Sequence, residues 1–282
     1  MKYRISILGG NGQLGKSIFG QLKNINNIYV KLYSKKKIDI TKKNFTLNPT
    51  PDLIINCAAY TDVDLSEKYK TRCNKVNNLS LANLSKYCNK NNSMLIHFST
   101  DFVFHGFKKN YYYEDARCIP INYYGKSKLK GEKLLMKNCK NYLIFRISWL
   151  YSKFNNNFLK SIIKNLIKNQ KTKVVSNLYG TPTSCLFISN FFKENLIRMI
   201  NYNDKQRIFH LTDGKKISKY HFAKLIAKHL NLDNLIVKNE YRHISLAKRP
   251  KNTSLKSKFL KKKFIFQNID WRKNLKDTIN SL

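Results

Sequence analysis

The chain has 282 residues, 42% of them hydrophobic, enough to bury a sizeable core, so global disorder is not expected. No apolar run approaches the roughly 20 residues that a membrane-spanning helix needs, and the first residues lack the apolar stretch and cleavage site of a signal peptide, so a cytoplasmic protein is expected. Lys and Arg number 54 against 16 Asp and Glu, a net charge of +38. These charges are spread along the whole chain, mostly as Lys beside abundant Asn and Ile. That spread favours drift under an A+T-rich genome over nucleic-acid binding, although it would also steer a phosphate-rich ligand inward. The six cysteines form no C-x-x-C pair and no metal-ligand spacing with the six histidines, so reduced thiols and no metal site, magnesium included, are expected.

In chain order, Tyr3–Leu8 reads as a first strand. It runs into Gly9-Gly10-Asn11-Gly12-Gln13-Leu14-Gly15 and then a helix over Gln13–Leu22. Gly9, Gly12 and Gly15 at a strand-to-helix turn let a pyrophosphate lie against backbone N–H groups, the arrangement of a dinucleotide site. The second strand, Ile28–Tyr33, ends in Lys31-Leu32-Tyr33-Ser34-Lys35-Lys36-Lys37, with no acid for ribose hydroxyls. NADPH is therefore slightly favoured over NADH, and Asp39 is the first carboxylate near the adenine end. Leu53–Asn56 and Met94–Ser99 are strands apolar enough for burial on both faces, with a helix over Ser66–Cys88 between them. Thr100 follows at the end of the fourth strand, where α/β ligands bind. Its hydroxyl is suited to polarising a carbonyl.

The next helix, Tyr124–Met136, puts Tyr124 and Lys128 on one face at i, i+4. A neighbouring ammonium would lower the phenol's pKa and make it a proton donor. Y-x-x-x-K alone is cheap in a chain rich in both residues; its order after the glycine loop and Thr100 gives it weight. Tyr142–Ile147 is a fifth strand. Beyond residue 150 the pattern loosens, with helices over Phe158–Ile167, Ile188–Met199 and Lys219–Leu230, and a basic tail, Phe259–Leu282, that should pack through Trp271. The patches Lys35–Lys37, Asn155–Asn157 and Lys261–Lys263 read as solvated. The fold expected is α/β: a Rossmann-type doubly wound parallel sheet with a smaller C-terminal substrate-binding lobe. Residues 1–150 form the NAD(P)-binding domain, and 151–282 mainly the lobe, with some segments returning to the first domain.

Several segments together resemble the dTDP-4-dehydrorhamnose reductase family of extended short-chain dehydrogenases/reductases. They are Gly9–Gly15, Pro51–Thr61, Val63-Asp64 with Glu67, Ser99–Phe104, Tyr124–Glu132, Arg146–Tyr151, Gly180–Ser184, Phe209–Thr212, Arg249–Asn252 and Trp271. The resemblance implies reduction of the 4-keto group of dTDP-4-dehydro-L-rhamnose to dTDP-L-rhamnose by NADH or NADPH, a step towards cell-surface polysaccharide. By matched position, Tyr124 would donate the proton, Lys128 would activate it and anchor the ribose, and Thr100 would polarise the carbonyl. Gly9, Gly12, Gln13, Leu14 and Gly15 would meet the cofactor phosphates, Asp39 and Ile40 its adenine side, and Ala59, Tyr60 and Thr61 its ribose and nicotinamide. Thr100, Asp101 and Trp149 would touch the sugar nucleotide, and Arg249 and Asn252 its diphosphate.

The chain departs from the family in four places: the missing acid after the second strand, Cys57 for alanine, Phe98 where relatives can carry Tyr, and Cys185-Leu186 for a charged pair. A homodimer is allowed by the resemblance, but no segment marks an interface. Three alternatives stand beside this reading. One is a reductase or epimerase of another nucleotide-linked deoxysugar, and another a non-catalytic nucleotide-binding relative. The third, a nucleic-acid binder, rests on charge alone.

Overall fold

A computed structural model describes residues 3–240, 245–266 and 270–282. Met1, Lys2 and the 267–269 stretch of the tail lie outside the described residues. The centre is a six-stranded parallel sheet. β1 (Tyr3–Leu8), β2 (Ile28–Tyr33), β3 (Leu53–Asn56), β4 (Met94–Thr100) and β5 (Tyr142–Ile147) are joined by a sixth strand, Ile208–His210, from the second half of the chain. In space the order is β2-β1-β3-β4-β5, then Ile208–His210. The chain leaves β1 to one side for β2 and returns on the other side for β3, so the strand order reverses between β1 and β3. In an open parallel sheet the crevice at such a reversal is the ligand site.

Both faces of the sheet are covered, which is why its strands are apolar on both sides. On one face Ile5, Ile7, Leu53, Ile55, Ile96, Leu143 and Phe145 pack with α1 (Gln13–Leu22) and α7 (Cys185–Ile200). On the other, Leu8, Ile54, Leu95 and Ile144 pack with α4 (Ser80–Asn91) and α5 (Tyr123–Asn138). All seven residues of β4 are buried. A second apolar core lies apart from the sheet. It joins α6 (Phe158–Ile167), α8 (Lys219–Lys228) and α10 (Trp271–Asn280) through Leu159, Ile162, Phe222, Ile226, Trp271 and Leu275. Between these, a one-turn α9 (Leu260–Lys263) closes the sheet-side core with Leu260.

The helix expected over Ser66–Cys88 is broken into pieces. α2 (Val63–Lys68) is capped by Asp62, whose carboxylate accepts from the Leu65 N–H. Tyr69, at φ −105° and ψ 54°, interrupts it, and α3 (Lys70–Asn74) follows. Lys75–Leu79 then form a π-helical turn leading into α4. Periodicity cannot reveal this, because the apolar spacing runs on through the break. The turn's purpose is visible in its contacts: Asn77 accepts from the Tyr60 N–H at 2.8 Å and donates to the Tyr60 carbonyl at 3.0 Å and to Ser127 Oγ at 3.0 Å. A π turn displaces one residue from the helix surface, and here that residue ties the loop after β3 to α5.

Candidate active site

The strand ends at the β1/β3 reversal open into one continuous groove. Its outer part, about 240 Å³, is lined by Gly9, Gly12, Lys35, Asp39, Ile40, Ala59, Tyr60 and Arg72. The inner part, about 440 Å³, shares Gly12, Cys57, Ala58 and Ala59 with it. That part is walled by Gln13, Leu14, Thr61, Thr100, Asp101, Tyr124, Lys128 and Trp149.

At the outer part, Gly9 has φ +82°, and a Cβ there would lie 2.6 Å from the Ala58 nitrogen, so only glycine lets the loop after β1 touch the loop after β3. Gly15 backs onto the Gly9 carbonyl in the same way rather than facing the groove. Helix α1 starts at Gly12 without a side-chain cap, leaving its first N–H groups directed at the groove, where an anion is favoured. This uncapped turn and glycine cradle fit the pyrophosphate of a dinucleotide. The Gln13 side chain does other work: its amide donates to the Leu150 carbonyl and accepts from Ser152 and Asn157, at 3.0–3.4 Å. Asn155 donates to the Asn11 carbonyl at 2.7 Å. Asn155 and Asn156 are exposed, as read from sequence, while Asn155 also reaches across to the glycine loop and Asn157 is half-buried. Asp39 accepts from the Thr41 N–H and hydroxyl. Burial works against its ionisation, but these bonds and the nearby Lys35 and Lys42 hold its pKa below the usual range.

In the inner part, the fit between β4 and α5 depends on Gly125. A Cβ there would fall 2.1 Å from the Phe102 carbonyl oxygen, so glycine brings the first turn of α5 against the turn after β4 and Tyr124 beside Thr100. The helix is capped by Asn122, which accepts from the Gly125 N–H at 2.8 Å and donates to the Lys248 carbonyl at 2.9 Å. Burial raises the Tyr124 phenol above its ordinary value, and a hydrogen bond with Thr100 works the other way. Lys128 is buried. Its amine donates to the Phe98 carbonyl at 2.6 Å and meets His97 Nε2 at 3.0 Å; burial pulls it down to about 8. The expected lowering of the phenol by a neighbouring ammonium is thus not the arrangement found: burial dominates Tyr124, and the amine is tied to β4.

Asp101 gathers hydroxyls. Its carboxylate accepts from Thr100 at 3.0 Å and Ser148 at 2.7 Å, and bonds with Thr253. Only 3% exposed, the carboxyl is pushed up to about 6 by burial against those bonds. Trp149 stands at φ +44°, an uncommon conformation for a bulky residue and one that costs free energy. Gly180 makes space for its indole, since a Cβ there would lie 2.3 Å from the ring.

Two expected substrate residues are placed elsewhere. The Asn252 amide donates to the carbonyls of Lys108, Lys109 and Asn110 and accepts from Ser254, so its polar atoms pin two loops together and do not line the cleft. Arg249 is paired with Asp64 and also stands outside the cleft lining.

The description of the RmlD substrate binding domain matches residues 3–282. The chain belongs to that family. A dTDP-4-dehydrorhamnose reductase of Aggregatibacter actinomycetemcomitans is 32% identical over 289 residues, which cover 97% of each chain. The structure of a dTDP-4-dehydrorhamnose reductase from Bacillus anthracis in complex with NADP matches with a TM-score of 0.91 at 29% identity, covering all of both chains. One from Clostridium acetobutylicum gives 0.89 at 32%, covering 99% of each.

Three side chains of this RmlD-family chain escaped the sequence reading. Lys219 opens α8 with its amine 4.5 Å from the Trp149 ring centre and 4.4 Å from that of Phe158. Burial and Arg249 lower its pKa to about 8 while Asp101 raises it. Arg72 lines the outer groove 5.9 Å from the Tyr60 ring centre. One lysine or arginine among so many gives no signal. His97 did give one, as the polar residue in the run Leu95-Ile96-His97-Phe98, where burial on both faces demands a polar partner.

Proposed function

We propose that this chain reduces the 4-keto group of dTDP-4-dehydro-L-rhamnose to dTDP-L-rhamnose with NADPH or NADH, as a cytoplasmic step of nucleotide-sugar biosynthesis. The observation that carries the reading is the convergence of Tyr124, Thr100 and Lys128 in a cleft continuous with the uncapped turn of α1. The dinucleotide, when bound, supplies the hydride. Gln13 and Leu14 would hold its phosphates through backbone N–H groups, with Gly12, whose own N–H bonds the Gly9 carbonyl, leaving room beside them. Asp39 and Ile40 flank the adenine side, while Ala59, Tyr60 and Thr61 line its path to the inner cleft. Lys35 and Arg72, both cations on the outer groove, suit a 2′-phosphate, which favours NADPH.

At the carbonyl, Tyr124 delivers the proton to the oxygen as the carbon is reduced, and Thr100 donates to the same oxygen by turning its hydroxyl from Asp101. A phenol whose pKa is raised by burial keeps its proton at neutral pH until charge develops on that oxygen. Lys128 anchors the ribose and restores the proton to Tyr124. The lobe carried by α6, α8 and α10 takes the rest of the substrate: Trp149 and Asp101 border the sugar, and Lys219, with Arg249 behind it, provides the positive charge for the diphosphate. The second reading, another nucleotide-linked deoxysugar, keeps the same chemistry and changes only this wall.

The test is cofactor oxidation with dTDP-4-dehydro-L-rhamnose. Wild type should turn over, and Tyr124→Phe should lose about a thousandfold in kcat with the fold retained. Equal rates would remove Tyr124 from the mechanism. A folded wild type inactive with both NADPH and NADH would remove the substrate assignment.

A further inference from the structure

The first turn of α5 carries the proposed proton donor, yet its own sequence does little to hold it. No acid stands in that turn, and Lys126 and Lys128 follow close behind, although the start of a helix favours negative charge. A helix also leaves its first N–H groups without partners of its own. Asn122 takes one of them, accepting from the Gly125 N–H at 2.8 Å. The Tyr123 N–H is taken from outside the helix: it donates to Glu67 Oε1 of α2 at 2.7 Å. Tyr124 is therefore bracketed, with the residue before it and the residue after it each tied to a side chain. Gly125 at the same time lies against the Phe102 carbonyl.

Glu67 can anchor that turn only if α2 is itself fixed, and it is. Asp62 caps its start by accepting from the Leu65 N–H at 2.8 Å. Asp64 accepts from the Ala247 N–H at 3.0 Å and pairs with Arg249. The buried Ser66 donates to the Val63 carbonyl at 2.6 Å. Asp64 and Glu67, both half-buried, stand at i, i+3 and so share a face of the helix; one reaches the 247–249 segment and the other α5. We propose that Glu67 is a positioning residue that holds the first turn of α5, and with it the Tyr124 phenol, beside Thr100. This rests on the reductase reading, in which Tyr124 is the acid. A carboxylate suits the task twice. It makes a stronger bond to an N–H than a neutral acceptor does, and it supplies the negative charge that the first turn of α5 lacks. The phenol oxygen lies far from the backbone, so a small tilt of the turn is magnified there. A misplacement of about 1 Å can cost on the order of a hundredfold in rate.

The test compares Glu67→Met and Glu67→Gln with wild type in cofactor oxidation, together with hydrogen exchange at the Tyr123 amide. Glu67→Met keeps the bulk and loses the acceptor. Its kcat should fall at least about tenfold, with the KM values for the nucleotide sugar and NADPH unchanged, because the acid acts in the transition state. Its Tyr123 amide should exchange at least about tenfold faster. Glu67→Gln keeps a carbonyl for the same N–H and should restore most of kcat and most of the protection. Should Glu67→Met not fold, Tyr123→Pro removes the donor instead. That helix position accepts proline, and Asn122 before it is already extended as proline requires, at φ −130° and ψ 165°. Tyr123→Pro should lose kcat to a similar extent, and adding Glu67→Gln to it should change nothing further. A kcat in Glu67→Met equal to wild type, a loss that Glu67→Gln does not relieve, or a rise in KM alone would overturn the proposal. A folded wild type without activity would instead overturn the reductase reading. The Tyr123 exchange would then still decide whether Glu67 holds the turn, an unchanged rate refuting it.

Discussion

On the sheet side of the cleft, Thr100, Asp101 and the glycine loop stand at the ends of neighbouring parallel strands, and α5 is seated on them by Gly125. On the lobe side, Trp149 lines the cleft, and Lys219 and the ion-paired Arg249 stand behind it, each from a separate segment. They are held by local devices: a left-handed backbone, a glycine beneath an indole, an ammonium between two rings and one ion pair. Register fixes the first wall, so its residues are rigid and their protonation is governed by burial. The second wall stands on short two-residue ladders outside the six-stranded sheet, Leu150–Tyr151 with Thr183–Ser184 and Ile217–Ser218 with Tyr179–Gly180, so its residues can change without disturbing that sheet. On the proposed roles, the chemistry falls to residues at the ends of the sheet strands and the substrate contacts to segments outside the sheet.

This contrast can be broken at the sheet side with the largest effect. Arg146 and Glu132 form a buried bidentate pair beneath the cleft, at 2.7 and 3.0 Å. Glu132→Leu would strand a buried guanidinium and should cost about 3–5 kcal/mol in urea unfolding; a loss under about 1 kcal/mol would show that the first wall is softer than its register implies. Asp101 gives the next effect, through pH. Its folded-state pKa, raised to about 6, means that the native chain keeps a proton that the unfolded chain releases near pH 4. Stability from this group therefore falls as pH rises between about 4 and 6. Asp101→Asn, which still serves the three hydroxyls, should gain about 2–3 kcal/mol relative to wild type between pH 4 and pH 8. A difference that stays flat with pH would place the carboxyl in a wetter site than its burial indicates.

The smallest effect belongs to the lobe. Lys219→Met keeps the aliphatic stem between Trp149 and Phe158 and removes the charge. The KM for the nucleotide sugar should rise about tenfold, worth roughly 1.4 kcal/mol, with kcat and the KM for NADPH unchanged. A fall in kcat instead would place Lys219 on the chemical side and erase the distinction.

The same contrast explains what could be read from residues alone. β1, β2, β3 and β5 match their expected limits, and β4 runs one residue longer, to Thr100, because strands buried on both faces leave uninterrupted apolar runs. The glycine loop and Thr100 are legible because each lies in a contiguous motif at a strand end, and Tyr124 and Lys128 because they stand one turn apart on a single helix. The strand Ile208–His210 was not, being only three residues long and packed at the sheet edge by β5. The break at Tyr69 and the π turn are invisible to periodicity. Asn252 matched a family segment, yet its neighbours in space, the carbonyls of residues 108–110, cannot be inferred from spacing. Lys219 needed the third dimension to be distinguished from any other lysine.

Asn122 joins the two walls: one side-chain amide caps the helix that carries Tyr124 and holds the Lys248 carbonyl just ahead of Arg249. A ligand whose binding drew on the 248–252 segment would be coupled to this cap, and by reciprocity a loosened cap would weaken that ligand by the same factor. The acid is most firmly presented when the lobe is engaged, so a nucleotide lacking its sugar would still help to set the proton donor in place.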